Sequence, residues 1–334
     1  MRRAILKLSY EGVAISADIA PMLKSFSYTD NAAGKADDIS LTLHDKNGLW
    51  RGDWFPDKGA KVTAGLLCEK WLNGKDISLN FGTFTIDEIS ANSGDTFTIK
   101  GVSAFITKAF RNEAKTRGFE KMTLKAVAEK FASENGFSLI FDSDTDPVME
   151  RLDQRNESDL AFLDRLCKSK GMNLKVADTQ VIIYSGANYG AKNASFVITP
   201  SNPTKSWSFA SKAHDTYKSC LVTYYDPKKK KNIKYEYIPP NAPKVGQTLK
   251  INTKVESVAE AEARAKAELR LKNSNEVSGS VTLVGSPSAA AGINVSVSGF
   301  GRFDGKYGID TATHTIDGSG GYTTSLSLKT ALEY

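Results

Sequence analysis

Histidine and cysteine are scarce, three of each in 334 residues, and their placement removes most catalytic and metal-binding chemistry. His44, His214 and His314 each sit in or beside a strand-like run. No HExxH, CxxC or GxSxG surrounds them, so neither a zinc site nor a nucleophile–base triad has its minimal parts. Cys68, Cys167 and Cys220 are odd in number and far apart, which fits reduced thiols in a cytoplasmic setting rather than a disulfide framework. The sequons at Asn156, Asn193 and Asn294 carry no meaning there. No apolar run approaches the ~20 residues that cross a bilayer. Lys7, Ser9, Tyr10 and Glu11 interrupt the ~7–15 apolar residues of a secretion signal. The sequence thus predicts neither a membrane span nor a leader. A dominant charge is missing too: 44 Lys+Arg stand against 38 Asp+Glu, and the net +6 is dispersed. That excess does not support sequence-specific nucleic-acid binding.

What is present is alternation. ISLTLHD from Ile39, TFTIDEI from Thr83 and TFTIKGV from Thr96 repeat a period of two, with turn signals at Asn47-Gly48, Asn73-Gly74 and Ser93-Gly94-Asp95. These predict antiparallel strands. Near residue 120 the period changes: Leu124, Val127, Ala128 and Phe131 fit one helix face, with Gly136 as the stop. Ser158 caps a second predicted helix that buries Leu160, Leu163, Leu166 and Cys167, and MNLKV and TQVIIY return as a hairpin. After a Pro/Ser/Asn linker, strands resume. Ser257 and Glu260 form a capping box for a third helix, whose apolar stripe is thin. The fold class is therefore α+β, predominantly antiparallel β. We divide it into a first barrel-like domain at residues 1–110, a small α/β insert at 111–190, and a second barrel-like domain at 191–334 with a helix embedded at 257–272.

An internal echo supports two related units. GTFTID from Gly82 and GKYGID from Gly305 share Gly-x-aromatic-x-Ile-Asp, and each is followed by a turn and an aromatic-Thr strand. Common strand chemistry also generates such echoes; we read this one as a duplication. Three copies of the chain would then present six similar units around an axis.

Other motifs resolve into turns. GFGRFDGK from Gly299 lacks both the spacing and the Ser/Thr of a phosphate loop, and Asp142, Asp144 and Asp146 have Pro147 where a calcium loop needs glycine. Residues 228–231, four lysines, read as a solvated hairpin tip. Trp50, Trp54 and Phe55 in a Gly/Pro/Asp-rich loop are either a local core or a contact with a neighbouring subunit. On the second reading they are the candidate subunit-interface residues. No catalytic, cofactor-binding or metal residue is assigned.

Four stretches resemble the late-control D family of phage tail hub proteins, and through it the N-terminal hub of type six secretion spikes. They are FSYTDNAAGKADDISLTLHDKNGLWRGDWFPDKG from Phe26, NESDLAFLDRLCKSKGMNLKV from Asn156, AEAEARAKAELRLKN from Ala259, and GFGRFDGKYGIDTATHTIDGSGGYTTSLSL from Gly299. The resemblance implies a non-enzymatic homotrimer with two tail-tube-like β-barrels, assembled in the bacterial cytoplasm and seated in the virion tail baseplate. Its implied partners are tail tube, tape-measure, central spike and other baseplate proteins. No β-helix repeat or lysozyme-like block follows the last strand, so the spike is expected to be a separate protein. The competing classes are a tail-borne cell-wall hydrolase and a surface-binding protein.

Overall fold

Period-two alternation becomes long ladders in the structure, a computed structural model that describes all residues except 1, 104–107, 147, 178, 202, 213, 215, 228–229, 243–245 and 318–320. Thirteen strands share one sheet. Its main path runs Thr204–Ser211, Val277–Val284, Gly321–Thr330, Gly305–Asp317, Leu23–Asn31, Asp38–His44, Thr96–Ser103, Lys75–Asn92, Lys61–Leu72, Arg3–Tyr10 and Val13–Ala14. Among the described strand pairs only three are parallel, so the antiparallel class expected from hairpin-length turns is what forms. Asn73 and Gly74 both take positive φ, +51° and +77°, as a two-residue hairpin between Leu72 and Lys75 requires. Among the described residues the ladder does not close on itself. Its far end nevertheless curls back: Trp71 Nε1 donates to the Gly285 carbonyl at 2.9 Å, and its ring lies 5.3 Å from that of Tyr322.

Four apolar cores form. The first gathers Phe26, Leu43, Leu66, Phe84 and Phe97, and it also takes Ile316 and Tyr322 from the C-terminal hairpin. The second belongs to the insert. There helices Leu124–Glu134 and Asp159–Ser169 bury Phe131, Phe162 and Leu163 between a two-stranded ribbon and a three-stranded sheet. Thr123 and Ser158 cap these helices by accepting from Ala126 and Ala161 amides, and Gly136 and Gly171 follow them with positive φ. The third core packs Ile309, Leu326 and Leu328 with Val281 and Val295. The fourth was not separable in the sequence. Strands Tyr217–Asp226, Lys231–Tyr237 and Gln247–Asn252 make their own sheet, and helix Val258–Asn273 lays Ala261, Ala265 and Leu269 on it. The thin stripe is sufficient because alanine lets the helix sit close to Cys220 and Val222.

The two echo segments occupy matching positions in their hairpins. Phe84 and Ile86 face Ser103 and Gly101, and the register then slips at Asp87; Tyr307 and Ile309 face Thr330 and Leu328, and the register slips at Asp310. Each motif thus ends in a β-bulge at its aspartate, with the aromatic and isoleucine side chains buried. Beyond the bulge the second hairpin is longer by two residues in each arm. An even number keeps Phe97 and Tyr322 on buried faces despite the unequal spacing.

Candidate assembly surfaces

The 45–55 loop is organised by one carboxylate. Asp45 is buried, accepts the Trp50 amide at 3.0 Å and takes Arg51 Nε at 2.7 Å. Burial pushes its carboxyl up, but the Trp50 amide and the Arg51 guanidinium outweigh that and hold it below the usual carboxylate range. The three loop aromatics separate as a result. Trp50 is 7% exposed and stacks on Phe97 at 5.9 Å, so it is part of the first core. Trp54 meets Trp50 edge-on and Phe55 meets Phe97 edge-on, yet they remain 45% and 53% exposed. Beneath them lies a cavity of about 400 Å³ walled by Ile15, Ile19, Leu41, Ile86 and Ile99.

A second surface went unread in the sequence. Strand Thr204–Ser211 is the terminal strand of the large sheet, and among the described strands it pairs with Val277–Val284 alone. Its Trp207 is 51% exposed and meets Phe300 at 5.1 Å; Phe209 touches Phe300 and Phe303 at 5.2 and 5.5 Å. The alternation of Lys205, Trp207 and Phe209 with Ser206, Ser208 and Ala210 was the available signal. It was hidden by the Pro/Ser/Asn run before it.

The polar residues singled out in the sequence are engaged structurally. His314 is buried, with Nδ1 2.7 Å from the Tyr322 hydroxyl and Nε2 3.2 Å from the Ala289 carbonyl, and burial pushes its pKa down. Asp142, Asp144 and Asp146 point to separate donors, Lys192 at 3.3 Å, Asn188 at 2.8 Å and the Lys125 amide at 3.2 Å. Gly299 and Gly301 take positive φ in a turn between strands, as the GFGRFDGK reading anticipates. Of the lysine tip, residues 228 and 229 lie outside the described residues, while Lys231 opens a strand opposite Asp226. All three cysteines are free and buried; burial pushes Cys68 up to about 11 and Cys220 up to about 12, which makes both poor nucleophiles at neutral pH. Among the described residues no group of three or more His, Cys, Asp or Glu is placed to hold a metal ion, and no helix is long and apolar enough to cross a membrane.

A buried junction joins the insert to the sheet. Lys175 pairs with Asp30 and lies 3.5 Å from Asp37. The remaining oxygens of these carboxylates accept the Ala291 and Asn31 amides at 2.8 and 2.9 Å. Burial pushes the Asp37 carboxyl up, against the pull of Lys175. Tyr184 adds a hydroxyl donated to the Ala32 carbonyl at 2.9 Å.

With this architecture established, comparison with known proteins is informative. The family model described as phage tail baseplate hub (GPD) matches residues 86–320. The probable baseplate hub protein of Escherichia phage 186 is 28% identical over 165 residues, 48% of this chain and 40% of that protein; the alignment therefore spans less than half of that relative. The 43 kDa tail protein of prophage MuSo2 from Shewanella oneidensis has a similar fold, with TM-score 0.74, 14% identity, and coverage of 97% of this chain and 98% of that one. A component of the E. coli type VI secretion system matches with TM-score 0.57 and 14% identity over 96% of this chain and 76% of its own.

Proposed function

Because the chain belongs to the phage tail baseplate hub family, we propose that it is the structural hub of a contractile tail or related injection particle, a trimeric ring joining tail tube to central spike. The carrying observation is the family match over residues 86–320, supported by a fold likeness over nearly the whole chain. In this reading residues 1–110 and 191–334 are tube-like β-barrel units and 111–190 is an insert between them. The matched bulges at Asp87 and Asp310 support a common origin for the two units. Tube, tape-measure, spike and other baseplate proteins are its partners, and it works in the virion tail by assembly rather than turnover. Trp54 and Phe55, with Trp50 beneath them, are subunit-contact residues.

Electron-microscopy reconstruction of the purified protein or the intact baseplate tests this. Three copies closing around an open channel, with first and second units alternating as six similar densities, are expected. A stable dimer, or units that superpose only with the two Gly-x-aromatic-x-Ile-Asp segments on unrelated strands, would overturn it.

A further inference from the structure

The two exposed aromatic surfaces differ in charge. The cavity under the 50–55 loop is apolar apart from its rim, and the only charged residues lining it are Asp18 and Asp53, both exposed. On a chain of net +6, that is a local inversion of sign. The Thr204–Ser211 edge is the opposite case. The register against Val277–Val284 slips at Lys205, and from Ser206 onward side chains alternate between faces, so Trp207 and Phe209 share one face and Lys205 stands exposed in the bulge just before them. Lys212 follows directly and residues 204–212 include no acid, while the turn that carries Phe303 holds one exposed charge of each sign, Arg302 and Asp304. A half-exposed indole therefore stands on a strand whose only charges are positive, at an edge of the sheet where no further strand pairs among the described residues, the kind of edge a protein covers or pairs.

We infer that these surfaces bind each other between copies: the Trp207 edge of one chain docks at the Trp54–Phe55 mouth of the next, with its indole in the cavity and Lys205 facing Asp53 and Asp18. The observation that selects a second copy as the occupant is this complementarity of charge, together with an exposed aromatic anchor on one side and an apolar hollow on the other. A cavity of about 400 Å³ lies within the ~300–1,000 Å³ range of sites that enclose whole small molecules, so one indole fits. The contact is heterologous. Each chain has one donor edge and one acceptor mouth, so copies join head to tail and close when the rotation permits. This deepens the ring proposed above and rests on it.

Two sets of variants test the contact in the full chain. Trp207→Ser removes the anchor; Asp18→Lys with Asp53→Lys reverses the rim. All three positions are exposed, so melting temperatures should stay near the parent's. Each variant should self-associate at least about tenfold more weakly than the parent in sedimentation, the loss of a hot-spot contact. Mixed in equal amounts they should give a one-to-one dimer, because the mixture contains one intact edge and one intact mouth. In a chain carrying Asp53→Cys and Lys205→Cys, oxidation should link neighbouring copies, and the three native cysteines are buried away from this chemistry. Parent trimers that persist unchanged in both variants, or in which positions 53 and 205 never link, overturn the contact and leave the ring standing. A parent that never forms trimers, in solution or in the baseplate, overturns both.

Discussion

Trp50 and Trp54 are four positions apart in one loop and look alike as sequence, yet they should respond differently to truncation. Trp50→Ala empties a core site against Phe97 and should cost the folded monomer about 3–5 kcal/mol. Trp54→Ala removes a half-exposed ring and should stay within about 0.5 kcal/mol of the parent in chemical denaturation while weakening self-association. Equal losses of monomer stability would assign Trp54 to the core as well. His314 gives a second residue-scale expectation. In the unfolded chain it titrates near its ordinary value of 6.5, whereas burial lowers its folded pKa. Between these two values the unfolded chain takes up a proton that the folded chain refuses. Stability contributed by His314 is therefore lost as pH falls from about 6.5 towards the folded pKa, and is constant below it. His314→Gln should flatten this part of the melting-temperature profile; an unchanged slope would show that another group carries it.

At the scale of elements, the Lys175 junction decides how firmly the insert is held. Lys175→Met would leave Asp30 and Asp37 facing each other without their cation, and breaking a buried pair in this way costs about 3–5 kcal/mol. Hydrogen exchange should show strand Met172–Ala177 losing protection before the Leu23–Asn31 strand; simultaneous loss would mean that the insert and the sheet open as one unit. This junction was not legible in the sequence, because Lys175 reads as the polar half of an alternating strand and its partners lie far away along the chain. The helices were legible for the opposite reason. Thr123 and Ser158 with their following glycines, and Ser257 with Glu260, encode their ends locally. One detail differs: Glu260 accepts the amide of Glu256, one residue before the cap, and also pairs with Lys170, so a local motif doubles as a tie to the insert. Half of the interface reading was visible as loop aromatics. The other half, Trp207, lay in a strand hidden behind its linker-like flank.

For the whole molecule, the decisive feature is how strand Gly305–Asp317 is shared. Its first residues pair with Asn294–Val297, and those from Thr311 onward pair with Leu23–Asn31, with the bulge at Asp310 between them. The same strand therefore belongs to the third core at one end and contributes Ile316 to the first at the other. The division into residues 1–110 and 191–334 follows the chain, whereas the backbone ladder runs across it. The consequence is mechanical. A pull that separates the two halves along this strand loads the register from Thr311–Asn31 to Asp317–Ser25 side by side, so these bonds must yield together rather than peel one after another. Tension between the two halves is then borne as a shear joint, through the peptide backbone of one shared strand.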